Sequence, residues 1–396
     1  MTIASPTQRI ALPNEADDAA RRIEGWLLES GIQIPDGPQQ GGIAGWLDSQ
    51  GMPEFVYLEI AGYYLMSMTW LASAAASSPD RAAAARVRAR LTLRWITRTL
   101  CAPTVPTVPT ASTASTAPTV PTAPPTRLHL RSGRVDWRNG GLFSFDLAMA
   151  ARGVMASRVV AHSRDRRPTV ARLWTLLDGI SRDTAVMQSH QLVGGADVPL
   201  PDRWSTRPGP HHLKAAAGLL QVPHYAVGST LRRVCQRTCE HWTAAMSDSW
   251  PCQELHTLFY GLEGMLIRAG TARGEPELAS IAVLYARLME LQAPDGTLPE
   301  TITGGAVRSD VLAQALRVGL MLRSRRHLQS DEWAERLSAL AADLMGFVRP
   351  DGAVLFAQDQ ELTNAWCAMF AHQALRLFAH DGRGAPLTAA AFQLLV

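Results

Sequence analysis

The chain has 396 residues, 47% of them hydrophobic, and its 38 Lys plus Arg nearly balance 35 Asp plus Glu to leave a net charge of +3. That is ample material for a large core, and the balance excludes the basic footprint of a nucleic-acid binder or a membrane-surface protein. Lys214 is the only lysine, so a P-loop GKS/T is absent and any Schiff base would have to form there.

At the N-terminus, MTIASPTQRIALPNEADDAARR lacks the basic-then-apolar order of a signal peptide. Five cysteines, Cys101, Cys235, Cys239, Cys252 and Cys367, form no CxxC pair and no disulfide framework. Both features lead to the expectation of a cytoplasmic protein. The stretch YLEIAGYYLMSMTWLA, residues 57–72, then sets one acid, Glu59, at the head of an uncharged apolar run. Residues 60–78 approach transmembrane length, but their Ser, Thr and many Ala favour a helix buried inside a helical domain, with no membrane span.

Residues 102–126, APTVPTVPTASTASTAPTVPTAPPT, are a Pro/Thr/Ala repeat unable to pack a core and are expected to be disordered or extended. On either side of them, turn-like tripeptides precede apolar helical runs: SQG at 49–51, SGR at 132–134, VGG at 193–195, SDS at 247–249 and PDG at both 294–296 and 350–352. With the insert set aside these markers recur about every fifty to sixty residues, the length of two helices and their connections. Each unit reads as a turn, a short extended piece, a helix rich in Ala, Leu, Gly and Met, and a second helix with an arginine-rich face. The expected fold is therefore all-α, an (α/α)6 toroid of six helical hairpins in one domain over 1–396, with 102–126 as an insert within it. An open α-solenoid would share the period.

In such a toroid the inner-helix N-termini converge on one end of a central cavity. The residues opening those helices are Glu59, Asp146, His211 or His212, His256, Asp310 and Asn364. Helix capping alone would select Asp146, Asp310 and Asn364, but it does not favour Glu or His. A carboxyl at Glu59, beside Trp46, Tyr57, Tyr63 and Trp366, has its charged form disfavoured, which raises its pKa toward use as a general acid. A buried Glu59 held by Arg308 is the alternative. The second acid would be Asp310 or Asp146, and two carboxylates across a cavity with aromatic platforms suit sugar chemistry. His256, in PCQELHTLFYGLEGML, shares a helix face with Tyr260 and Glu263 and could be a base or a polar wall. The acids of the turns, Asp295, Glu300 and Asp351, are expected to be structural.

The expected catalytic residues are thus Glu59, Asp310 and His256. The expected substrate-binding residues are Trp46, Tyr57, Tyr63, Asp146, His212, Tyr260, Arg308, Asn364 and Trp366. No metal and no cofactor is expected: HExxH is absent, the histidines lack ligand spacing, and Cys235 and Cys239 fall on an arginine-rich outer helix.

The segment GIAGWLDSQGMPEFVYLEIAGYYL resembles the Gly-Gly-Ile and Tyr-Pro-Glu-Ile-Thr-Gly-Tyr signature of bacterial toroid proteins of the polysaccharide biosynthesis VpsJ type. Tyr57, Glu59, Gly62 and Tyr63 match it, while Leu58 replaces the usual Pro and Ala61 the usual Thr. FSFDLAMAARGV, HTLFYGLEGML, LPETITGGAVRSDVLAQALR and LTNAWCAMFAHQAL also resemble later hairpins of that group. The resemblance implies an (α/α)6 fold and a cavity lined by Glu59, Asp146, His256, Arg308, Asp310 and Asn364, but no reaction. The expected function is a carbohydrate-active enzyme of bacterial glycan or exopolysaccharide metabolism, using acid/base chemistry of hydrolase, lyase or epimerase type on a small-molecule or oligosaccharide substrate. A natural-product or isoprenoid tailoring enzyme and a non-catalytic glycan-binding protein are the alternatives.

Overall fold

A computed structural model of the chain describes residues 10–73, 78–101, 124–132, 136–160, 164, 166–192, 200–222, 228–270, 275–384, 387 and 389–395. Among these, the helices form two concentric rings. The inner ring consists of α2 (Leu58–Ser73), α4 (Ser144–Ala156), α6 (His211–Leu220), α8 (Leu255–Ala269), α10 (Ser309–Ser324) and α12 (Ala365–Asp381). Each packs on the next and α12 packs back on α2, which closes a toroid and excludes the open solenoid. These helices are apolar nearly all round because both of their faces meet other helices; residues 60–73 of the stretch 60–78 belong to α2, and 74–77 lie outside the described residues. Among the described residues, no helix is long and apolar enough to cross a membrane.

The outer ring is amphipathic. α3 (Pro79–Cys101), α5 (Arg166–Ser181), α7 (Ser229–Asp248), α9 (Glu275–Met289) and α11 (Asp331–Gly346) each pack on the inner helix that precedes them. The sixth outer helix is α1 (Pro13–Glu29), which lies on α12 and joins the first hairpin partner to the last. Ion pairs fix that closure: buried Arg376 reaches Asp17 at 2.6 Å and Glu24 at 2.7 Å, and the exposed Arg383 reaches Asp17 at 2.7 Å. Against the opposing effect of burial, His372 and Arg376 bring the pKa of Glu24 down to about 2.

Close approach of inner helices depends on glycine. A Cβ on Gly62 would lie 2.4 Å from the Met149 carbonyl oxygen, and one on Gly153 would lie 2.3 Å from the Gly62 carbonyl oxygen, so α2 and α4 cross backbone against backbone. A short helix, α13 (Ala389–Gln393), follows α12 and meets α8.

Short antiparallel ladders gather at the N-terminal end of the inner ring. β1 (Trp46–Leu47) pairs with β8 (Thr363–Asn364), β2 (Phe55–Tyr57) with β3 (Arg127–His129), β4 (Gly141–Phe143) with β5 (His190–Leu192), and β6 (Pro299–Thr301) with β7 (Gly304–Val307). β2, β4 and β8 run directly into α2, α4 and α12, so the first-turn side chains of those helices are aimed by a hydrogen-bonded strand. The expected turns at 49–51, 294–296 and 350–352 are present, each ahead of a short extended piece and an inner helix. Gly51, Gly296 and Gly352 hold φ of 73°, 99° and 89° at their turns.

Three expectations about boundaries need correction or fall outside the description. Ser247 and Asp248 close α7 rather than forming a turn, and the chain reverses after them. Gly133 and Gly195 lie outside the described residues, as do residues 102–123 of the insert. The last three residues of the expected insert, 124–126, belong to the fold: Thr126 is buried and its carbonyl accepts the Leu58 amide at 2.8 Å.

Candidate active site

All six residues expected to open the inner helices do so, and two polar clusters result. The first is built on α2 and α4. Tyr57, the last residue of β2, donates its hydroxyl to Asp146 Oδ2 at 2.8 Å. Arg138, on the short helical turn Trp137–Gly140, donates Nη1 to Asp146 Oδ1 and Oδ2 at 3.3 and 3.0 Å and Nη2 to Ser205 Oγ at 2.9 Å. Glu59 lies beside them, 5% exposed. Burial and the neighbouring Asp146 raise its pKa to about 7, with Arg138, the Tyr57 hydroxyl and Arg127 pulling the other way. The carboxyl can therefore hold a proton near neutral pH.

The second cluster is built on α8 and α10. Arg308 binds Asp310 through two parallel hydrogen bonds, at 3.1 and 2.6 Å, and Asp310 Oδ1 also accepts the Val311 amide at 3.0 Å. His256 Nδ1 lies 3.3 Å from Asp310 Oδ2 and 3.0 Å from Gln314 Oε1. Both neighbours are acceptors, so Nδ1 carries the hydrogen and Nε2 keeps the lone pair. Burial lowers the pKa of His256 to about 4 despite the opposing pull of Asp310, and the ring is a neutral imidazole at neutral pH.

Tyr260 connects the clusters. Its ring lies 4.4 Å from that of His256, its hydroxyl accepts from Tyr63 at 2.9 Å, and the charges of both Glu59 and Asp310 act on it. Trp204, on the turn Trp204–Thr206, sits over this junction with its ring 5.4 Å from His256, 6.2 Å from Tyr260 and 5.6 Å from Phe145. Ser205, tied to Arg138, anchors that turn. On the far side of the ring of helices Trp46 and Trp366 face each other at 5.6 Å, and Phe356 packs on Trp366 at 6.2 Å. Trp46, Trp204, Trp366 and Arg308 are half-buried, whereas Asp146, Asp310 and His256 are buried, so the exposed rim is aromatic and the ionisable groups lie beneath it.

This geometry gives several of the expected residues particular partners. Arg308 holds Asp310, not Glu59; the cations acting on Glu59 are Arg138 and Arg127. Asp310, expected as a second catalytic carboxylate, has both oxygens engaged by Arg308, Val311 and His256. Asn364, expected to bind substrate, also caps α12, with Oδ1 accepting from the Trp366 and Cys367 amides at 3.0 and 3.1 Å and its buried Nδ2 left without a partner. Asp146 and Asp310 lie inside their helices, so capping explains neither. His212 is turned into the protein, its Nδ1 meeting the Gly209 backbone at 3.1 and 3.3 Å, and His211 is the histidine that lines a pocket. Tyr57 and Tyr63 are buried partners of acids and tyrosines rather than rim platforms.

Tyr260 and Glu263 do share a face with His256, but Glu263 lies deeper. It pairs with Lys214 at 2.8 Å and with Arg317, all three fully buried, and Lys214 Nζ sits 4.5 Å over the Tyr260 ring. Burial lowers the Lys214 pKa to about 7. Asp295 and Asp351 serve their turns, accepting from Thr297 and Ala353 as expected. Glu300 instead sits on β6, 3.9 Å from Arg308. Among the described residues, no three His, Cys, Asp or Glu side chains converge as a metal-binding set.

No protein-family model and no curated protein matches this chain. Solved structures resemble it over nearly its whole length. A cellobiose 2-epimerase from Spirochaeta thermophila superposes with a TM-score of 0.63 at 13% identity, over 95% of this chain and 99% of that one. A D-mannose isomerase superposes with a TM-score of 0.64 at 10% identity, over 96% of this chain and 100% of that one. An unsaturated glucuronyl hydrolase from a Bacillus species does so with a TM-score of 0.56 at 12% identity, over 92% and 96%. At these identities the likeness establishes the (α/α)6 fold.

Proposed function

We propose that this protein is a carbohydrate-active enzyme that moves protons on a sugar held at the mouth of the toroid, with Glu59 as the acid and His256 as the base. The observation that carries this reading is the contrast between the two groups. Glu59 is a carboxyl whose pKa of about 7 lets it donate at neutral pH, and His256 is a neutral imidazole whose Nε2 lone pair is left available by the acceptors at Nδ1. Two titratable groups driven in opposite directions by burial are a recurrent way for a protein to assign acid and base.

Asp310 is a positioning residue: it fixes the His256 tautomer, and Arg308 fixes Asp310. With neither Asp310 oxygen free, nucleophilic attack by that carboxylate is disfavoured, and proton abstraction of the epimerase, isomerase or lyase kind is the better fit. Trp46, Trp204 and Trp366 supply flat apolar faces against which a sugar ring can lie. Support also comes from the fold shared with sugar epimerases, a mannose isomerase and glucuronyl hydrolases. A place in bacterial glycan or exopolysaccharide metabolism is part of this proposal. It rests on Tyr57, Glu59, Gly62 and Tyr63, each of which has a structural task at the mouth or in the α2–α4 crossing. All five cysteines are free, which suits a reducing compartment.

The test is solvent exchange. Cellobiose, mannose and a glucuronic-acid disaccharide are incubated with the protein in deuterated water and followed by NMR. The expected result is deuterium at a sugar carbon next to a carbonyl, lost in both Glu59→Gln and His256→Gln. Glycosidic cleavage that leaves no deuterium in the product and depends on Glu59 would assign hydrolysis instead. No change in any sugar would remove the catalytic reading in favour of binding.

A further inference from the structure

A second pocket of about 290 Å³ opens beside the mouth, between the turn Trp204–Thr206, the start of α6 and the segment 250–254 that leads into α8. Its walls include Trp204, Trp250, His211 and Thr257. His211 is 1% exposed and neither of its ring nitrogens has a hydrogen-bond partner; Thr257 is 2% exposed and its hydroxyl has none. A folded protein pays for each unsatisfied buried polar group, so two on the wall of one pocket call for an occupant.

The chemistry of that occupant follows from what the wall offers. Burial, with His212 and His256 nearby, holds the His211 pKa well below 6.5, so the ring is neutral and presents one N–H and one lone pair. The Thr257 hydroxyl likewise donates and accepts. A carboxylate or a fully ionised phosphate can only accept and an ammonium can only donate, so either leaves half of these positions unmatched; a hydroxyl does both. Charge on the pocket favours no ion, because Arg207 is paired with Asp202 at 2.5 Å and Glu254 also lines the wall. Two indole rings provide the flat apolar surface that the C–H face of a sugar ring covers. The volume is at the lower limit for small-molecule sites, enough for one ring.

We infer that this pocket is a subsite for an uncharged, hydroxylated glycosyl unit, recognised by His211 and Thr257 and flanked by Trp204 and Trp250. Trp204 is the shared wall: it lines the pocket and lies 5.4 Å from the His256 ring. The substrate is accordingly an oligosaccharide whose neutral unit occupies this pocket while the neighbouring unit reaches Glu59 and His256. The inference deepens the proposed function and rests on it for the reacting unit.

The experiment is a titration by calorimetry and tryptophan fluorescence, using methyl glucoside, cellobiose and glucuronic acid against wild type, His211→Phe and Thr257→Val. His211 forms no hydrogen bond, so His211→Phe is expected to keep the wild-type thermal midpoint; if it misfolds, Thr257→Val carries the test. The expected result is binding of the two neutral sugars, weakened tenfold or more in each variant. Wild-type affinity in both folded variants overturns the subsite, and solvent exchange by the wild type would then still support the proposed function. Tighter, His211-dependent binding of glucuronic acid overturns the neutral class. No binding of any sugar overturns the subsite, and the proposed function falls with it only if solvent exchange is absent too.

Discussion

Arg308 grips Asp310 in a fork, Nε to Oδ1 at 3.1 Å and Nη2 to Oδ2 at 2.6 Å. Burial of Asp310 opposes its ionisation, yet the charge of Arg308, the Arg308 hydrogen bonds and the Val311 amide hold its pKa below the ordinary carboxylate range. The guanidinium is half-buried and reaches over Phe356 at 4.5 Å, so it links the buried acid to the aromatic rim.

Arg308→Leu leaves that buried carboxylate without its cation. Breaking such a pair costs about 3–5 kcal/mol at pH 7. Because the folded pKa of Asp310 is depressed, its contribution is present above the unfolded value and lost as pH falls through the folded one. The gap between wild type and Arg308→Leu should therefore narrow as urea unfolding is moved from pH 7 toward acid. Turnover should fall through kcat more than KM, since His256 loses its orientation. A stability difference that does not change with pH would show that Asp310 is not the group affected.

Glu59 behaves in the opposite sense. Its pKa rises from 4.5 to about 7, so folding favours the protonated form, and the stability present below 4.5 is lost as pH rises through about 7. The full penalty is on the order of 3 kcal/mol. Glu59→Gln has no proton to lose, so its stability relative to wild type should increase by that order between these pH values while its turnover disappears. For the wild type, kcat should decline above pH 7 as the acid ionises. A variant that is destabilised equally at every pH would point to a packing role for Glu59.

Asn364→Ala separates capping from recognition. Loss of the two bonds to the Trp366 and Cys367 amides should cost about 0.5–2 kcal/mol, the usual range for an N-cap. Sugar affinity and turnover should remain within about twofold of wild type, corresponding to a few tenths of a kcal/mol. A tenfold rise in KM with unchanged stability would return Asn364 to the binding site.

The inner ring was legible because a helix buried on every side is apolar on every side, which makes a single polar residue in its first turn stand out. Glu59, Asp146, the pair His211 and His212, His256, Asp310 and Asn364 all emerge that way. Their partners do not. Arg138 and Trp204 sit on short helical turns between longer elements, where no periodicity marks them, and each becomes meaningful only when the fold brings it to Asp146 or His256. The pairing of α1 with α12 joins opposite ends of the chain through Asp17 and Arg376, a contact with no local signature. Lys214, Glu263 and Arg317 did leave a trace, as charges inside apolar runs such as LKAAAGLL, LEGML and LRVGL, since an isolated charge in a buried helix needs a partner.

The Tyr63–Tyr260 hydrogen bond, 2.9 Å long and fully buried, gives the sharpest test of how the two clusters communicate. Tyr63→Phe or Tyr260→Phe alone removes one hydroxyl and strands the other, at about 1–3 kcal/mol. Tyr63→Phe with Tyr260→Phe removes both, so the double variant should be less destabilised than the sum of the singles, with a coupling of about 0.5–3 kcal/mol. The functional effects should differ, because the hydroxyl removed in Tyr260→Phe belongs to the ring that meets His256 edge-on at 4.4 Å, and the charge of Asp310 acts on it. Tyr260→Phe is therefore expected to lower kcat more than Tyr63→Phe. Both should shift the alkaline limb of the pH profile, since the charge of Glu59 acts on each hydroxyl. Equal kcat losses with unmoved pH limbs would mean that the tyrosines only pack, and that Glu59 and His256 act without a shared link.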